Sequence, residues 1–389
     1  MNKKQAAKRV AELREAIRRH DFLYYVRDAP EVSDEVYDRL FRELNRLEDE
    51  HPELLTDESP TQRVAGEPLP AFESVEHAAP MLSLDSDADP EALRRFDQRL
   101  RKIAGEEATI EYVAEPKLDG ASVELVYERG RLSRAATRGD GRRGEGILAN
   151  VKTIAAVPLR LRADEVPVPD LLSVRGEVIM QLEAFEQLNE RLMEAGKEPF
   201  ANPRNAAAGA LRQLDPRITS SRPLDIYVYD ILLAEGLEVR TQWEVLETLR
   251  RWGLRVNDLP RLLTSVDGLL EYHADLMERR DDIGYEIDGV VIKLDNLSMR
   301  EDLGTTARHP RWAFAFKFPP RKEVTRVLKI LASVGRTGVV TPVAMMRPVE
   351  IGGVTVSRAT LHNREEVLRK DIREGDRVRV QRAGDVIPQ

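Results

Sequence analysis

The amino-acid sequence predicts an α+β protein with two or three domains. Its 389 residues are enough for several separate hydrophobic cores. Helical patterns come first, and the strand patterns that follow do not alternate with helices as a βαβ fold requires. Short strands separated by glycines end the chain. These observations predict a helical module at 1–68, a domain of antiparallel sheets with flanking helices at 69–318 and an incomplete β-barrel at 319–389.

Composition excludes several classes of protein. Hydrophobic residues make up 42% of the chain and charged residues 33%, which is typical of a soluble globular protein, and the absence of cysteine fits the reducing cytoplasm. No apolar run approaches the ~20 residues that span a bilayer, so we expect no membrane partner. The basic N-terminus lacks the apolar core of a signal peptide. Because cysteine is absent, this chain has no disulfides and no thiolate metal site.

The net charge of −8 argues against a protein that binds nucleic acid over its whole surface. Contacts with DNA must therefore come from local basic clusters. Candidate clusters lie at 138–143, 203–205, 321–322 and 377–382. Taken alone, each cluster is better explained as a solvated surface.

Two apolar stripes at helical spacing predict two helices in the N-terminal module. The stripes are Ala6, Val10, Leu13 and Ile17, and then Val36, Leu40, Leu44 and Leu47. Asp28-Ala-Pro30 breaks the chain between them, and Ser33 is a suitable N-cap for the second helix. A proline-containing stretch at 60–70 predicts a linker.

Alternating apolar patterns predict the strands of the remaining chain. In the middle domain they lie at 110–114, 121–127, 173–180, 225–233, 286–294 and 312–318, with helices at 90–103, 183–195 and 243–252. In the barrel they lie at 327–334, 339–347, 349–357 and 376–382. The strand pattern stops at the last residue, so the barrel is predicted to be incomplete.

A lysine between two strand patterns is the first candidate for chemistry. It stands in the segment Glu115-Pro-Lys117-Leu-Asp119-Gly120, at the mouth of the predicted sheet. A partly desolvated amine at such a place can act as a nucleophile. The alternative is that so short a motif occurs by chance.

Further charged residues lie in strand patterns that are otherwise apolar. Glu177 and Lys317 are two of them, and Lys293 is predicted on the opposite face of its strand from Asp288. Tyr229 shares a predicted strand face with another tyrosine. A single lysine of this kind is better explained by an edge position or by an alkyl stem that reaches solvent. Three lysines, at 117, 293 and 317, indicate a phosphate-bearing ligand that offsets their mutual repulsion, and Glu177 could hold a ribose hydroxyl.

These segments together resemble the nucleotidyltransferase superfamily of DNA ligases and capping enzymes. More closely, the whole chain resembles the bacterial NAD-dependent DNA ligase family. The segments that carry the resemblance are AEPKLDG, ATRGDGRRGE, VRGEV, FANPRNAAAGALRQLDPR, YEIDGVVIK, WAFAFKFP and VGRTG. The resemblance implies a nicotinamide mononucleotide-binding module, an adenylation domain and a truncated OB-fold in that order.

The resemblance also implies roles for individual residues. Lys117 is expected to be the nucleophile that forms lysyl–AMP. Residues expected to contact the nucleotide are Ser83, Leu84, Glu115, Arg138, Glu177, Tyr229, Lys293 and Lys317. Asp119 and Asp288 match acidic positions near a divalent metal, Mg²⁺ with Mn²⁺ as a substitute. Arginines expected to serve ligation or DNA binding are Arg204, Arg212, Arg280 and Arg336.

The N-terminal helices bear on the choice of cofactor. Asp34, Tyr37 and Asp38 share one helical face, with Tyr24 and Tyr25 arriving from the preceding helix. Taken alone, this pattern is an ordinary helix with acidic residues near its positive end. Tyrosines and carboxylates also suit the cationic nicotinamide ring of NAD, and the resemblance implies the same cofactor.

The expected reaction has three steps on nicked double-stranded DNA, in replication and repair. AMP passes from NAD to Lys117, then to the 5′-phosphate, and leaves when the 3′-hydroxyl attacks. The family normally continues with the rest of the barrel, a four-cysteine zinc site, helix-hairpin-helix motifs and a BRCT domain. We therefore expect a monomer that adenylates itself but seals nicks poorly, with zinc confined to the missing part.

Two alternatives remain open. An ATP-dependent polynucleotide ligase or capping-type nucleotidyltransferase would share Lys117 but have no use for the tyrosine–aspartate module. A non-catalytic DNA-clamping fragment would need structural lysines only. Neither explains residues 20–40 together with residues 110–320.

Overall fold

The structure is a computed structural model, which describes residues 3–27, 29, 31–63, 71–105, 109–319, 322–334, 340–351, 354–383 and 387–388. By its internal contacts the chain forms two compact units, Met1–Phe316 and Lys317–Gln389. Each unit has helices and sheets of its own, and the predicted α+β class is confirmed.

The first unit begins with the two predicted helices, α1 (Lys3–Asp21) and α2 (Asp34–Glu50). Their apolar stripes face each other, and the shared core buries Val10, Ile17 and Leu44. A turn of π-helix, Phe22–Val26, follows α1. Ser33 precedes α2 in an extended conformation, as an N-cap requires, but its side chain makes no capping hydrogen bond. The predicted break at Asp28 and Pro30 lies outside the described residues.

The rest of the first unit contains the predicted strands and helices together with several that were not predicted. In chain order they are β1 (Ser74–Glu76), β2 (Asp85–Asp87), α3 (Pro90–Ala104), β3 (Tyr112–Leu118), β4 (Ala121–Glu128), β5 (Arg131–Thr137), β6 (Arg143–Glu145), α4 (Leu148–Lys152), β7 (Leu171–Met180), α5 (Leu182–Glu194), α6 (Pro203–Leu211), α7 (Pro216–Ser220), β8 (Leu224–Ala234), α8 (Gln242–Arg251), β9 (Arg261–Leu263), α9 (Val266–Glu278), β10 (Ile287–Leu294), α10 (Leu297–Leu303) and β11 (Ala313–Lys317). The six predicted strands and three predicted helices are confirmed, with ends that differ by a few residues.

This part of the chain contains two larger sheets, a mixed one of five strands and an antiparallel one of four. One has the strand order β2-β11-β10-β3-β9 and the other β5-β4-β7-β8, while β1 pairs with β6. The pairs of β3 with β10 and of β4 with β7 are antiparallel, whereas β2 and β11 are parallel. A core between the four-stranded sheet and α8 buries residues such as Leu125, Val174 and Trp252. The chain passes from β3 into β4, so the turn at 119–120 joins the two larger sheets.

The second unit is a sheet of antiparallel strands. Two of them, of 13 and 12 residues, are longer than the short strands that the sequence predicted, and the strand predicted to end at 347 continues to Ile351. The unit comprises β12 (Lys322–Val334), β13 (Val340–Ile351), β14 (Val354–Thr360), α11 (Arg364–Arg369), β15 (Arg377–Ala383) and β16 (Ile387–Pro388). The strand order is β14-β13-β12-β15-β16, with antiparallel neighbours. Val327, Met346 and Val380 are buried in its core. None of the described helices of either unit is long and apolar enough to cross a membrane.

Candidate active site

Lys117 lies on β3, beside the neighbouring strand β10. It stands opposite Gly289 in the antiparallel register. The side chain is partly buried, and its Nζ lies 2.7 Å from Asp288 Oδ1 and 3.0 Å from Oδ2. The predicted strand ended before the lysine, but the observed strand continues to Leu118. The amine is therefore held by a strand, directly beside a carboxylate.

Asp288 is the extra residue of a β-bulge. Residues 117–118 of β3 face residues 287–289 of β10, so β10 has one residue more than its partner. Such a bulge breaks the alternation of side chains and turns one of them to a new direction. The prediction that Asp288 points away from the face of Lys293 is wrong for this reason. Lys117 and Lys293 share a face, and the Asp288 carboxylate contacts Lys117.

Asp119 and Gly120 form the turn that joins β3 to β4. Asp119 Oδ1 accepts a hydrogen bond of 2.8 Å from Nη1 of Arg204, at the start of α6. Burial raises the pKa of Asp119, while the Arg204 guanidinium acts in the opposite direction and the Asp288 carboxylate adds to the rise. Gly120 allows a close approach of two strands, because a Cβ there would lie 2.3 Å from the carbonyl oxygen of Val178.

A buried ion pair joins Glu115 of β3 to Lys293 of β10. Glu115 Oε1 lies 2.8 Å from Lys293 Nζ, and only 4% of Lys293 is exposed. The same Nζ donates to the backbone oxygen of Tyr229 at 3.0 Å and lies 5.1 Å from the centre of its ring. Burial raises the pKa of the Glu115 carboxyl, and the Lys293 ammonium opposes that rise. Three residues predicted to contact the nucleotide therefore meet at one buried amine.

Gln242 and Arg300 belong to this network and were not predicted. Gln242 is the first residue of α8 and is fully buried. Its Nε2 donates to Glu115 Oε1 at 3.3 Å and to the Tyr229 backbone oxygen at 3.0 Å, while its Oε1 accepts from Arg300 Nη1 at 3.0 Å. A glutamine at a helix start carries no sequence signal that separates it from an exposed one, so only the fold identifies it.

Tyr229 connects this network to Glu177. The tyrosine hydroxyl donates to Glu177 Oε2 at 3.2 Å and lies 3.3 Å from the Ser122 hydroxyl. Residues 228–230 of β8 face residues 175–176 of β7, so Tyr229 is also the extra residue of a bulge. Burial raises the pKa of Glu177 and that of Tyr229. Both bulges thus fall on residues that the sequence singled out.

Arg138 follows β5 and reaches the segment of Ser83 and Leu84. Its Nη2 hydrogen-bonds the Ser83 hydroxyl, and Leu84 is partly buried beside it. Among the described residues, Arg138 Nε is buried without a hydrogen-bond partner. The Arg138 carbonyl oxygen lies 3.0 Å from His77 Nε2, and His77 Nδ1 lies 2.6 Å from Glu124 Oε2. This buried pair could not be predicted from the sequence, because neither His77 nor Glu124 stands in a catalytic or metal-ligand spacing.

The tyrosines of the N-terminal module have two different environments. Tyr24 and Tyr25 lie in the π-helical turn after α1, with ring centres 4.8 Å apart in an edge-to-face arrangement. Half of Tyr24 is exposed, whereas Tyr25 packs against the core of the four-stranded sheet. The module therefore contacts the sheet domain through this turn.

Tyr37 is held by an aspartate that was not predicted. Its hydroxyl donates to Asp21 Oδ1 at 2.7 Å, and Asp21 Oδ2 accepts from Arg63 at 3.5 Å. Burial raises the pKa of Asp21, and the charge of Arg63 opposes that rise. Asp38 is exposed on α2, one residue further along. Asp34, also predicted to belong to this site, is the first residue of α2, and its side chain lies outside the described part of the chain.

Two of the remaining predicted arginines also pair with carboxylates. Arg212 is exposed, and its Nε and Nη2 lie 2.7 and 2.8 Å from the two carboxylate oxygens of Glu145. Arg280 is buried, and its Nη2 donates to Glu286 Oε2 at 3.2 Å. Carboxylates of the first unit therefore hold the guanidinium groups of both arginines.

Two further predicted residues belong to the second unit. Lys317 ends β11 and is the first residue of that unit. Arg336 lies outside the described residues. The predicted roles of both residues stay predictions.

The acidic groups suit a metal that takes most of its ligands from substrate and water. Within the described ranges, no cluster of three or more histidine, aspartate or glutamate side chains could hold an ion by itself. Magnesium is commonly bound by one or two carboxylates together with phosphates and water. Asp119 and Asp288, on either side of Lys117, fit that arrangement, and no residue of this chain supplies a thiolate for zinc.

The fold and the site define a class of protein. A lysine on a sheet strand, with a carboxylate, a second lysine and a tyrosine near it, matches the site expected of a nucleotidyltransferase. Three family models match the chain. They are the N-terminal NAD⁺-binding domain of DNA ligases at 3–65, the NAD-dependent DNA ligase adenylation domain at 69–321 and the NAD-dependent DNA ligase OB-fold domain at 324–389. The chain belongs to the NAD-dependent DNA ligase family.

Relatives from several bacteria agree with this assignment. The DNA ligase of Geobacter metallireducens is 54% identical over 392 residues, which cover the whole of this chain and 58% of that protein. The DNA ligase of Alkalilimnicola ehrlichii is 55% identical over 381 residues, 98% of this chain and 56% of that protein. The DNA ligase of Salinibacter ruber is 54% identical over 385 residues, 99% of this chain and 56% of that protein. The chain thus spans a little over half the length of these relatives.

Proposed function

We propose that this chain takes AMP from NAD onto Lys117 and that the AMP then passes to the 5′-phosphate of nicked double-stranded DNA, where the nick is sealed. The observation that carries the proposal is the contact of Lys117 Nζ with the Asp288 carboxylate at 2.7 Å, inside the adenylation-domain match. The names of the relatives, all DNA ligases, support the choice of substrate.

In that step Lys117 Nζ attacks the α-phosphorus of NAD. An N–P bond forms, the P–O bond to nicotinamide mononucleotide breaks, and the amine loses a proton. Asp288 lies beside Nζ and can orient the amine and accept its proton. Because the lysine is held by a strand, little motion is needed to align it with the phosphorus.

The buried network behind Lys117 supplies the nucleotide contacts of this proposal. Tyr229 would stack on the adenine and Glu115 would accept a hydrogen bond from it, while Lys293 would neutralise charge on the α-phosphate. Glu177 and Arg138 would hold the ribose. The buried Arg138 Nε, which has no hydrogen-bond partner among the described residues, suits a ribose or phosphate oxygen as acceptor. Ser83, Leu84 and Lys317 complete the proposed nucleotide site.

Asp119 and Asp288 would hold Mg²⁺, or Mn²⁺ in its place. The ion would supply positive charge to the phosphate oxygens. Asp119 is already fixed by Arg204 and Asp288 by Lys117, so both carboxylates are oriented by this chain's own cations.

The N-terminal module would bind the nicotinamide half of NAD. We assign this role to Tyr24, Tyr25, Asp34, Tyr37 and Asp38, because aromatic rings and carboxylates favour a cationic ring. We propose the domain limits 1–68, 69–318 and 319–389 for this module, the adenylation domain and the OB-fold.

DNA binding is assigned to arginines. Arg204, Arg212 and Arg336 would contact the nicked duplex, chiefly through phosphates, so that binding weakens steeply with salt. Arg280 is buried beside Glu286, so it would serve ligation from inside the first unit and not through a direct DNA contact. We propose a monomer.

Intact-mass spectrometry tests the proposed first step. The chain is incubated with Mg²⁺ and either NAD or ATP, with Lys117→Ala as the control. We expect the mass of one AMP to be gained with NAD alone and to be absent from the variant. An adduct with ATP would instead favour an ATP-dependent ligase or capping-type enzyme. No adduct with either nucleotide would contradict the proposal.

A further inference from the structure

Gln242 bridges two residues that the proposed function assigns to the adenine. Its Nε2 lies 3.3 Å from Glu115 Oε1 and 3.0 Å from the backbone oxygen of Tyr229. Glu115 lies on β3 and Tyr229 on β8, in different sheets. One amide group from α8 therefore connects both sides of the proposed base site.

The partners of Gln242 fix the orientation of its amide. A carboxylate and a backbone carbonyl can only accept hydrogen bonds, whereas a guanidinium can only donate them. The NH₂ group must therefore face Glu115 and Tyr229, and the amide oxygen must face Arg300, whose Nη1 lies 3.0 Å away. With the amide reversed, the Gln242 oxygen would face Glu115 Oε1 and the Tyr229 backbone oxygen, and no hydrogen bond could form with either. The Gln242 side chain therefore has one orientation.

Arg300 is itself held in place. Its Nε donates to the backbone oxygen of Leu294 at 2.7 Å, and its guanidinium lies 4.1 Å from the ring centre of Trp312. Both Arg300 and Gln242 are buried, with Gln242 fully shielded from solvent. Arg300 therefore holds the Gln242 amide oxygen in place without any contribution from a nucleotide.

This arrangement leaves one carboxylate oxygen of Glu115 for a ligand. Lys293 and Gln242 both bind Oε1. The ion pair with Lys293 and the hydrogen bond from Gln242 thus fall on the same oxygen, and Oε2 is the other oxygen of the carboxylate. An ionised carboxylate accepts hydrogen bonds only, and the donor on adenine is its exocyclic amine. Oε2 is thus suited to that amine. Hypoxanthine has an acceptor oxygen in place of the amine, and its nearest donor, N1–H, lies at a different position on the ring.

We propose that Gln242 is a positioning residue that holds Glu115 in the orientation that reads the exocyclic amine of adenine, and so sets the preference for NAD over its deaminated analogue. The inference rests on the proposed function. It goes beyond it by assigning base selectivity to a residue that does not touch the nucleotide.

The test compares two dinucleotides. Lysyl-nucleotide formation is followed by intact mass over time, at several concentrations of NAD and of the analogue with hypoxanthine in place of adenine. We expect the wild-type chain to prefer NAD. Gln242→Met keeps the side-chain length but removes all three hydrogen bonds, and it should lower the NAD-to-analogue ratio of kcat/KM about tenfold. Arg300→Met, which frees the amide but leaves its contact with Glu115, should lower that ratio less.

A matched control removes an amide elsewhere. Asn189 of α5 makes two hydrogen bonds to the backbone of Phe200, and Asn189→Leu should keep the wild-type ratio. A wild-type chain that uses both dinucleotides equally would overturn the inference. So would a Gln242→Met variant that loses activity on both in the same proportion, because that result indicates a purely structural role. If the wild-type chain gains no AMP from NAD at all, it is the proposed function that fails.

If Gln242→Met does not fold, the NAD-to-analogue ratio of kcat/KM is compared in Gln242→Glu and Arg300→Met instead. Gln242→Glu can still pair with Arg300 but offers no donor to Glu115, so it should lower the ratio at least as much as Gln242→Met. An unchanged ratio in both variants overturns the inference. Thermal unfolding of each variant shows which of them are folded.

Discussion

The carboxylate of Asp288 lies 2.7 Å from the Nζ of Lys117 because Asp288 is the extra residue of a bulge in β10. In a regular strand Asp288 would face away from Lys117. Bulges are common beside active sites, where they turn a side chain to a new direction. The pair explains how a strand lysine in the proposed reaction has a proton acceptor within contact distance.

Asp288→Asn should slow lysyl–AMP formation by roughly 100-fold. The amide keeps the size of the side chain, but it neither accepts a proton from the lysine nor carries the charge that would help to hold Mg²⁺, and general-base catalysis alone commonly contributes a factor of this order. The rate is measured by intact mass after mixing with NAD and Mg²⁺. Asp282→Asn, on the exposed loop before β10, serves as the control. A rate within twofold of wild type would exclude the proposed role of Asp288.

Tyr229→Ala should raise the KM for NAD about tenfold, whereas Tyr229→Phe should change it much less. Stacking of a base on an aromatic ring is worth about 1–3 kcal/mol, and phenylalanine keeps the ring. Phenylalanine loses the hydroxyl bond to Glu177, so a small residual effect is expected. Initial rates over a range of NAD concentrations distinguish the two variants. Equal effects of both substitutions would assign the role to the hydroxyl instead of the ring.

His77→Ala should destabilise the protein by about 1–3 kcal/mol, because Glu124 Oε2 loses its contact with His77, while Oε1 keeps its hydrogen bonds from the Ala78 amide and the Ser173 hydroxyl. The ring of His77 contacts two oxygens, Glu124 Oε2 through Nδ1 and the Arg138 carbonyl oxygen through Nε2. The double variant His77→Leu/Glu124→Leu should lose less free energy of unfolding than the single variants His77→Leu and Glu124→Leu lose together. Urea unfolding gives these free energies, and strictly additive values would show that the two residues do not interact.

Glu177→Gln should be more stable than wild type at neutral pH, and the difference should shrink on acidification. Burial raises the folded-state pKa of Glu177 above its unfolded value of about 4.5. The folded state then holds the proton more tightly, so the free energy of unfolding of the wild type falls as pH rises through the interval between the two values. Glutamine removes this penalty. Urea unfolding at pH 5 and pH 8 measures the effect, and a difference that does not grow with pH would contradict it.

The same variant should bind NAD less well, since Glu177 is assigned to the ribose. A group that costs stability and serves binding is typical of functional sites. The KM of Glu177→Gln, measured beside its stability, tests whether the two effects occur together.

The sequence by itself determined the class of the fold and most of its elements. Period-two and period-3.6 patterns depend on local burial, so the strand at 173–180 and the helix at 90–103 could be read from neighbours in the chain. The motif around Lys117 and the long family segments also identified the family, which the matches over 3–65, 69–321 and 324–389 confirm.

The tertiary structure decided what surrounds the lysine. The bulges at Tyr229 and Asp288 arise from the register between strands far apart in sequence, and alternation along one strand cannot reveal a residue that its partner strand leaves out. Gln242 and His77 gained their roles from contacts across 127 and 47 positions of the chain. A sequence pattern reports which side chains prefer to be buried, but hydrogen-bond partners are set only when separate strands and helices pack together.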